Sequence, residues 1–212
     1  MPNEQELRQA ICWAGRRLYE QGFAVANDGN ISTRLENGNI LTTPTEVSKG
    51  ELTPDMLVVV NAAGEVIAGE MRPSTELKLH LRVYERRPDV NAIVHAHPPY
   101  ATSFAVVGHQ LNEPLIAEAI VHLGPVGLAP YATPGSEELP DSIEPFVGTH
   151  NAILLSNHGA LTYGPDLKSA QFRMESLEFY AKITALSHQM GTPRPLSAAQ
   201  IAQLRQAAGP TN

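Results

Sequence analysis

The sequence predicts an α/β protein, and three observations carry that reading. Its first third is a set of short β-branched runs separated by turn signals, which makes antiparallel hairpins and excludes a simple Rossmann pattern. Amphipathic helical stretches stand before and after these runs. With 212 residues, 42% hydrophobic and 17% charged, the chain can fill one core and is expected to form a single domain over residues 1–212.

Glu4 to Gln21 reads as an amphipathic helix, because Leu7, Ile11, Ala14 and Leu18 recur at helical spacing and Gly22 stops it. Asn27-Asp28-Gly29-Asn30 is a glycine-containing turn before a strand, Ile31 to Arg34; it is either a plain turn or a loop whose Gly29 and Asn30 offer donors to an anion. Asn37-Gly38 predicts a hairpin into Ile40 to Thr43, and the turn Asn61 to Glu65 joins strands at Val58 to Val60 and Val66-Ile67. Pro73-Ser74-Thr75-Glu76 opens a helix to about Arg87, with Ser74 as its N-cap. Glu76 is then either an acid placed at the positive end of the helix dipole or part of a site built at that end. His80, one turn on, reads as helix surface or packing.

Ala92 to Val94 is a buried strand, ended by Pro98 and Pro99, and Tyr100 to Val107 is helical. Leu115 to Leu123 is apolar apart from Glu118 and His122, so Glu118 is either a satisfied buried carboxylate or an acid/base group of raised pKa. A strand is expected over Val126 to Tyr131, a short acidic helix over Gly135 to Phe146, and a strand over Ala152 to Leu155. Asp166 to Gln189 is a long helix and Ser197 to about Ala207 a final one, while Gly209 to Asn212 are expected to fray.

The chemistry concentrates at His95 and His97. In a strand, residues two apart share a face at about 7 Å spacing, so two imidazoles at a strand exit can converge on one ion. A His-x-His pair alone fits packed strand histidines equally well. His158 adds a third imidazole where an apolar run meets a turn, with Gly159 supplying backbone freedom. Three imidazoles without a thiolate are the ligand set of a catalytic zinc that keeps one position open. The single cysteine, Cys12, excludes a cysteine-rich structural zinc site.

The net charge of −7 argues against a nucleic-acid partner. No window is long and apolar enough for a membrane span, and Met1 to Glu6 lack a signal-peptide core, so a cytoplasmic protein is expected.

Taken in order, Asn27-Asp28-Gly29-Asn30-Ile31-Ser32, Thr43-Pro44-Thr45, Pro73-Ser74-Thr75-Glu76, Val94-His95-Ala96-His97, Pro130-Tyr131 and Asn157-His158-Gly159 resemble the class II aldolase/adducin family over about residues 5–200. Within it the likeness is greatest to the zinc-dependent L-fuculose-phosphate aldolases. The resemblance implies a three-layer α/β/α fold with a largely antiparallel central sheet, and a homotetramer with active sites between neighbouring subunits. It implies Zn2+ or another divalent ion on His95, His97 and His158, with Glu76 as the acid/base at the hydroxymethyl carbon. Gly29, Asn30, Thr45, Ser74 and Thr75 match positions that hold the phosphate of a ketose such as L-fuculose 1-phosphate. Such a ketose is split reversibly, through a metal-stabilised enediolate, into a dihydroxyacetone phosphate unit and an aldehyde. Dehydration, 4-epimerisation and decarboxylation are alternative outcomes in the same family. A non-catalytic, adducin-like binding module is disfavoured by the presence of all three histidines and Glu76.

Two departures stand out. Glu46 follows Thr-Pro-Thr where those aldolases have glycine, and its charge disfavours a phosphate there unless it turns away. Glu118 stands near the position where several aldolases carry a tyrosine that donates a proton in a neighbour's site. A glutamate there is more like the methylthioribulose-phosphate dehydratases.

Overall fold

The computed structural model describes residues 2–208; the fraying expected for Gly209 to Asn212 falls outside them. Eight strands, β1 (Asn30–Arg34), β2 (Ile40–Thr42), β3 (Val58–Val60), β4 (Val66–Ala68), β5 (Ala92–Ala96), β6 (Val126–Ala129), β7 (Ala152–Leu155) and β8 (Gly159–Gly164), form one sheet in the order β4-β3-β2-β1-β5-β8-β7-β6. Every neighbouring pair is antiparallel except β6 with β7. That parallel pair needs a crossover, which α4 (Glu138–Ser142) and α5 (Glu144–Val147) provide.

Alternation along the strands splits the apolar residues between two cores. Val94 and Ala96 of β5 turn to α1 (Glu4–Glu20), α3 (Pro99–Val107) and α6 (Leu167–Met190), where Ile11, Leu18, Phe104, Met174 and Leu177 are buried. Ile93 turns the other way, to Leu79 and Val83 of α2 (Leu77–Arg86) and Leu139 of α4. A sheet covered by helices on both faces is the three-layer α/β/α arrangement expected from the resemblance. A last helix, α7 (Ala198–Ala208), buries none of its residues. Among the described residues no helix is long and apolar enough to cross a membrane.

Three elements differ from expectation. The run Gly159 to Gly164, assigned to no element from the sequence, is β8, wholly buried and paired on both edges. Pairing with β5 on one edge and β7 on the other holds it in place despite a glycine at each end. The acidic helix expected over Gly135 to Phe146 is broken into α4 and α5, with Pro145 in the first turn of the second. β6 stops at Ala129, because Pro130 cannot continue the ladder.

Candidate metal centre

The register of three strands brings the key residues to one end of the sheet. Asn30 at the start of β1 pairs with His95, and Ala96 pairs with Ala160, so the exit of β5 lies against the entry of β8. His158 belongs to the turn before β8, where Asn157 takes the left-handed conformation with φ 54°. His97 lies one residue past β5, and its N–H bonds Phe23 O at 2.8 Å. The three side chains close on one another, with one nitrogen of each within 4.8 Å of the other two.

Two glycines are required by close approach. A Cβ on Gly159 would come within 2.5 Å of His97 Cδ2 and 2.6 Å of Ala96 O. Gly159 therefore acts by leaving room for His97, not by backbone freedom at positive φ, which falls to Asn157. Gly29 does both, since its φ is +74° and an added Cβ would lie 2.7 Å from His95 O.

The outer ring nitrogens fix which atoms face inward. His95 Nδ1 is 2.9 Å from Ala160 O, and a carbonyl only accepts, so Nδ1 carries a proton. His97 Nδ1 is 3.3 Å from Asp28 Oδ2, a carboxylate that plays the same part. His97 Nε2 then approaches His95 Nε2 at 3.3 Å.

Glu76 faces this cluster. Its Oε2 is 3.1 Å from His95 Nε2 and its Oε1 is 3.0 Å from His158 Nε2. Asn30 Nδ2 donates to Oε2 at 2.9 Å. Contrary to expectation, Ser74 is not the N-cap of α2. The helix starts at Leu77 with Glu76 in the cap position, while Ser74 Oγ accepts from Glu76 N–H at 3.3 Å. The turn before the helix thus keeps Glu76 at its head, where its side chain reaches the histidines.

The electrostatics are those of a carboxylate among imidazoles. Burial pushes the Glu76 carboxyl up, but His95 and His158 outweigh burial and hold it well below the usual carboxylate range. Burial lowers His95, and the Glu76 charge more than reverses this. His97 is pushed down to about 4 by burial and by its two imidazole neighbours. The proton that Glu76 favours on His95 is the charge a divalent cation would replace, since imidazole ligates only through a free lone pair. Three inward nitrogens, two with acceptors on their far side, and an adjacent carboxylate are a donor set that fits such a cation.

The remaining expected site residues are placed as follows. A bridge between Pro44 and Pro73, with Thr45 N–H bonded to Arg72 O at 2.9 Å, sets the Thr45 segment beside Ser74 and Thr75. Glu46 has φ 63° and its carboxylate lies 3.3 Å from the Arg72 guanidinium, both side chains being exposed. Glu118 is exposed rather than buried in its apolar stretch, just ahead of a π-helical turn, Ala119–Leu123, and borders a hollow with Glu175 and Phe179. Of the two readings of His80, packing holds: it is fully buried, with Nδ1 2.7 Å from Ser32 Oγ. Sequence reasoning missed Asp28 and Ser32 as partners of histidines, although both sit inside the motif around Asn30. The one available signal was the i, i+4 spacing of Glu76 and His80.

Fold and site together are those of an enzyme whose three clustered histidines could hold a divalent ion. The family model of the Class II Aldolase and Adducin N-terminal domain matches residues 9–185. The 5-deoxy-D-ribulose 1-phosphate aldolase of Bacillus thuringiensis serovar kurstaki is 36% identical over 194 residues, 91% of this chain and 90% of that protein. A 3-oxo-tetronate 4-phosphate decarboxylase of Escherichia coli is 32% identical over 206 residues, 95% of this chain and 96% of the relative. The crystal structure of YgbL from Klebsiella pneumoniae superposes with a TM-score of 0.90 at 34% identity, covering 97% of this chain and 100% of that one. The chain belongs to the class II aldolase/adducin family and is an enzyme of it.

Proposed function

We propose that this enzyme is a zinc-dependent carbon–carbon lyase that reversibly cleaves a short ketose 1-phosphate, such as L-fuculose 1-phosphate, into dihydroxyacetone phosphate and an aldehyde. The observation that carries this reading is the Glu76 carboxylate, 3.0–3.1 Å from two of the three convergent imidazoles. A cation held by His95, His97 and His158 would supply Lewis acidity for the substrate carbonyl and for the charge left on it by bond cleavage. Glu76 takes and returns the proton at the hydroxymethyl carbon, and Asn30 keeps its carboxylate turned to that place. With Asn30 Nδ2 engaged on Glu76, Gly29, Thr45, Ser74 and Thr75 are left as the principal phosphate partners. Pairing with Arg72 reduces the repulsion that Glu46 would exert on that phosphate. Glu118 is the second acid/base group and, being exposed, acts across a contact between subunits of a cytoplasmic homotetramer. Exposed Phe172 and Phe179 on α6 are surface that such assembly would cover.

A second reading is decarboxylation of a 3-oxo sugar acid 4-phosphate, favoured by the similarity to the 3-oxo-tetronate 4-phosphate decarboxylases. Both reactions break a carbon–carbon bond beside a carbonyl and leave electrons on it, so one site serves either. Proton NMR of dihydroxyacetone phosphate in D2O with zinc-loaded protein separates them. Zinc-dependent deuterium uptake at the hydroxymethyl carbon, lost in Glu76→Gln, is the expected result. Absence of exchange, together with carbon dioxide release from 3-oxo-tetronate 4-phosphate, would overturn the aldolase in favour of the decarboxylase.

A further inference from the structure

α2 lies along β1 so that residues four apart on the helix meet residues two apart on the strand. Glu76 meets Asn30, His80 meets Ser32, and Tyr84 meets both Ser32 and Arg34. His80 is 1% exposed and takes no part in the chemistry described above. Its Nδ1 is 2.7 Å from Ser32 Oγ, which is 2.9 Å from the Tyr84 hydroxyl.

Three protons share two hydrogen bonds here, so one donor is left over whichever way the chain runs. Run from His80 to Tyr84, the spare proton is the tyrosine's, which has no other partner among the described residues. Run from Tyr84 through Ser32 Oγ to His80 Nδ1, it is the imidazole Nε2–H, and this direction sets the spare donor on the rung beside an unpaired acceptor, Asn30 Oδ1. The ring is neutral, because burial, with His95 facing it, pushes His80 down to about 3 against the opposing pull of Glu76. Nε2–H is thus a buried donor without a partner among the described residues, and the neighbouring rung leaves over its complement: Asn30 Oδ1, equally buried and unpaired among them. A buried donor and a buried acceptor left unmet are each unfavourable, and each can meet the other's need.

We propose that His80 is a positioning residue for Glu76. Its Nε2–H fixes Asn30 Oδ1 through one ordered water, so that Asn30 Nδ2 faces the Glu76 carboxylate. The relay runs Tyr84, Ser32, His80, Asn30, Glu76; its geometry stands alone, and its effect on turnover rests on the role of Glu76 given above.

Nitrogen-15 NMR of histidine-labelled, zinc-loaded protein tests the relay without reference to any reaction. His80 is expected as the neutral Nε2–H tautomer throughout about pH 6 to 8, and Ser32→Ala is expected to disturb its signal. An Nδ1–H tautomer, or a cationic ring, would overturn the proposal. In the exchange assay, His80→Phe is expected to lower kcat on the order of 10–100-fold with zinc content kept. KM should stay within about twofold. His80→Gln, which keeps a donor, should recover much of the loss, and in a Glu76→Gln background His80→Phe should cost little more. Unchanged kcat in His80→Phe, or an equal further loss without Glu76, would overturn it. Should no substrate undergo exchange, the aldolase reading fails while the tautomer still decides the relay, and it does so even where His80→Phe fails to fold.

Discussion

An imidazole can lend one nitrogen to a cation only while the other carries the ring proton, and here that condition is met by small, local means. Ala160 O serves His95 and Asp28 serves His97. Replacing Asp28 with Asn keeps the size of the group but removes the charge that holds His97 Nδ1–H. Zinc affinity is expected to fall about 10–100-fold, measured by competition with a chromophoric chelator. Glu76 is a different case, since the proposed reaction gives its carboxylate the proton transfer. Glu76→Gln should lower exchange and turnover by about 10²–10⁴-fold while bound zinc, measured by elemental analysis, stays at the wild-type level. A comparable loss of zinc would instead make Glu76 a ligand.

Elements hold these residues in place, and one lysine shows how. Lys49 is buried, and its Nζ donates to Asn27 O at 2.9 Å and Val47 O at 2.7 Å, pinning the turn that carries Asp28 and Gly29. Lys49→Met would orphan both carbonyls, and a loss of about 1–3 kcal/mol at neutral pH is expected in denaturant unfolding. Burial lowers Lys49 from 10.5 to about 8, with Asp28 pulling the other way. Between those two values the unfolded chain keeps the proton and the folded one does not, so stability rises with pH across that window. Lys49→Met lacks this slope, so its deficit relative to the wild type should widen as pH climbs from about 8 to 10. Much of this level was legible in the sequence: α1, the β1–β2 hairpin, β5 with its histidines and α6 follow from period and punctuation. Glu76 stood out by its motif. β8, Asp28 and the burial of His80 were not legible, because each depends on which strand lies beside which. A run such as Gly-Ala-Leu-Thr-Tyr-Gly becomes a strand only between β5 and β7.

For the whole molecule, Glu118 is the residue that tests assembly: it is exposed and borders a hollow against α6. If Glu118 serves a neighbour's site, Glu118→Gln and Glu76→Gln are each inactive with zinc bound, yet hybrids refolded from a mixture of the two regain activity in sites that combine one intact residue from each. Full activity of Glu118→Gln alone would remove it from the mechanism, and inactive hybrids would put both residues in one subunit's site. The same scale sets the order of events in folding. His95 and its carbonyl partner Ala160 are 65 residues apart, and the imidazoles meet only when β5 and β8 have paired, a contact of long sequence separation that forms late. Zinc therefore finds no template in the unfolded chain: it should leave the refolding rate unchanged and slow unfolding, as stopped-flow traces with and without the ion would display. An ion bound there would be a lock turned after the door has closed.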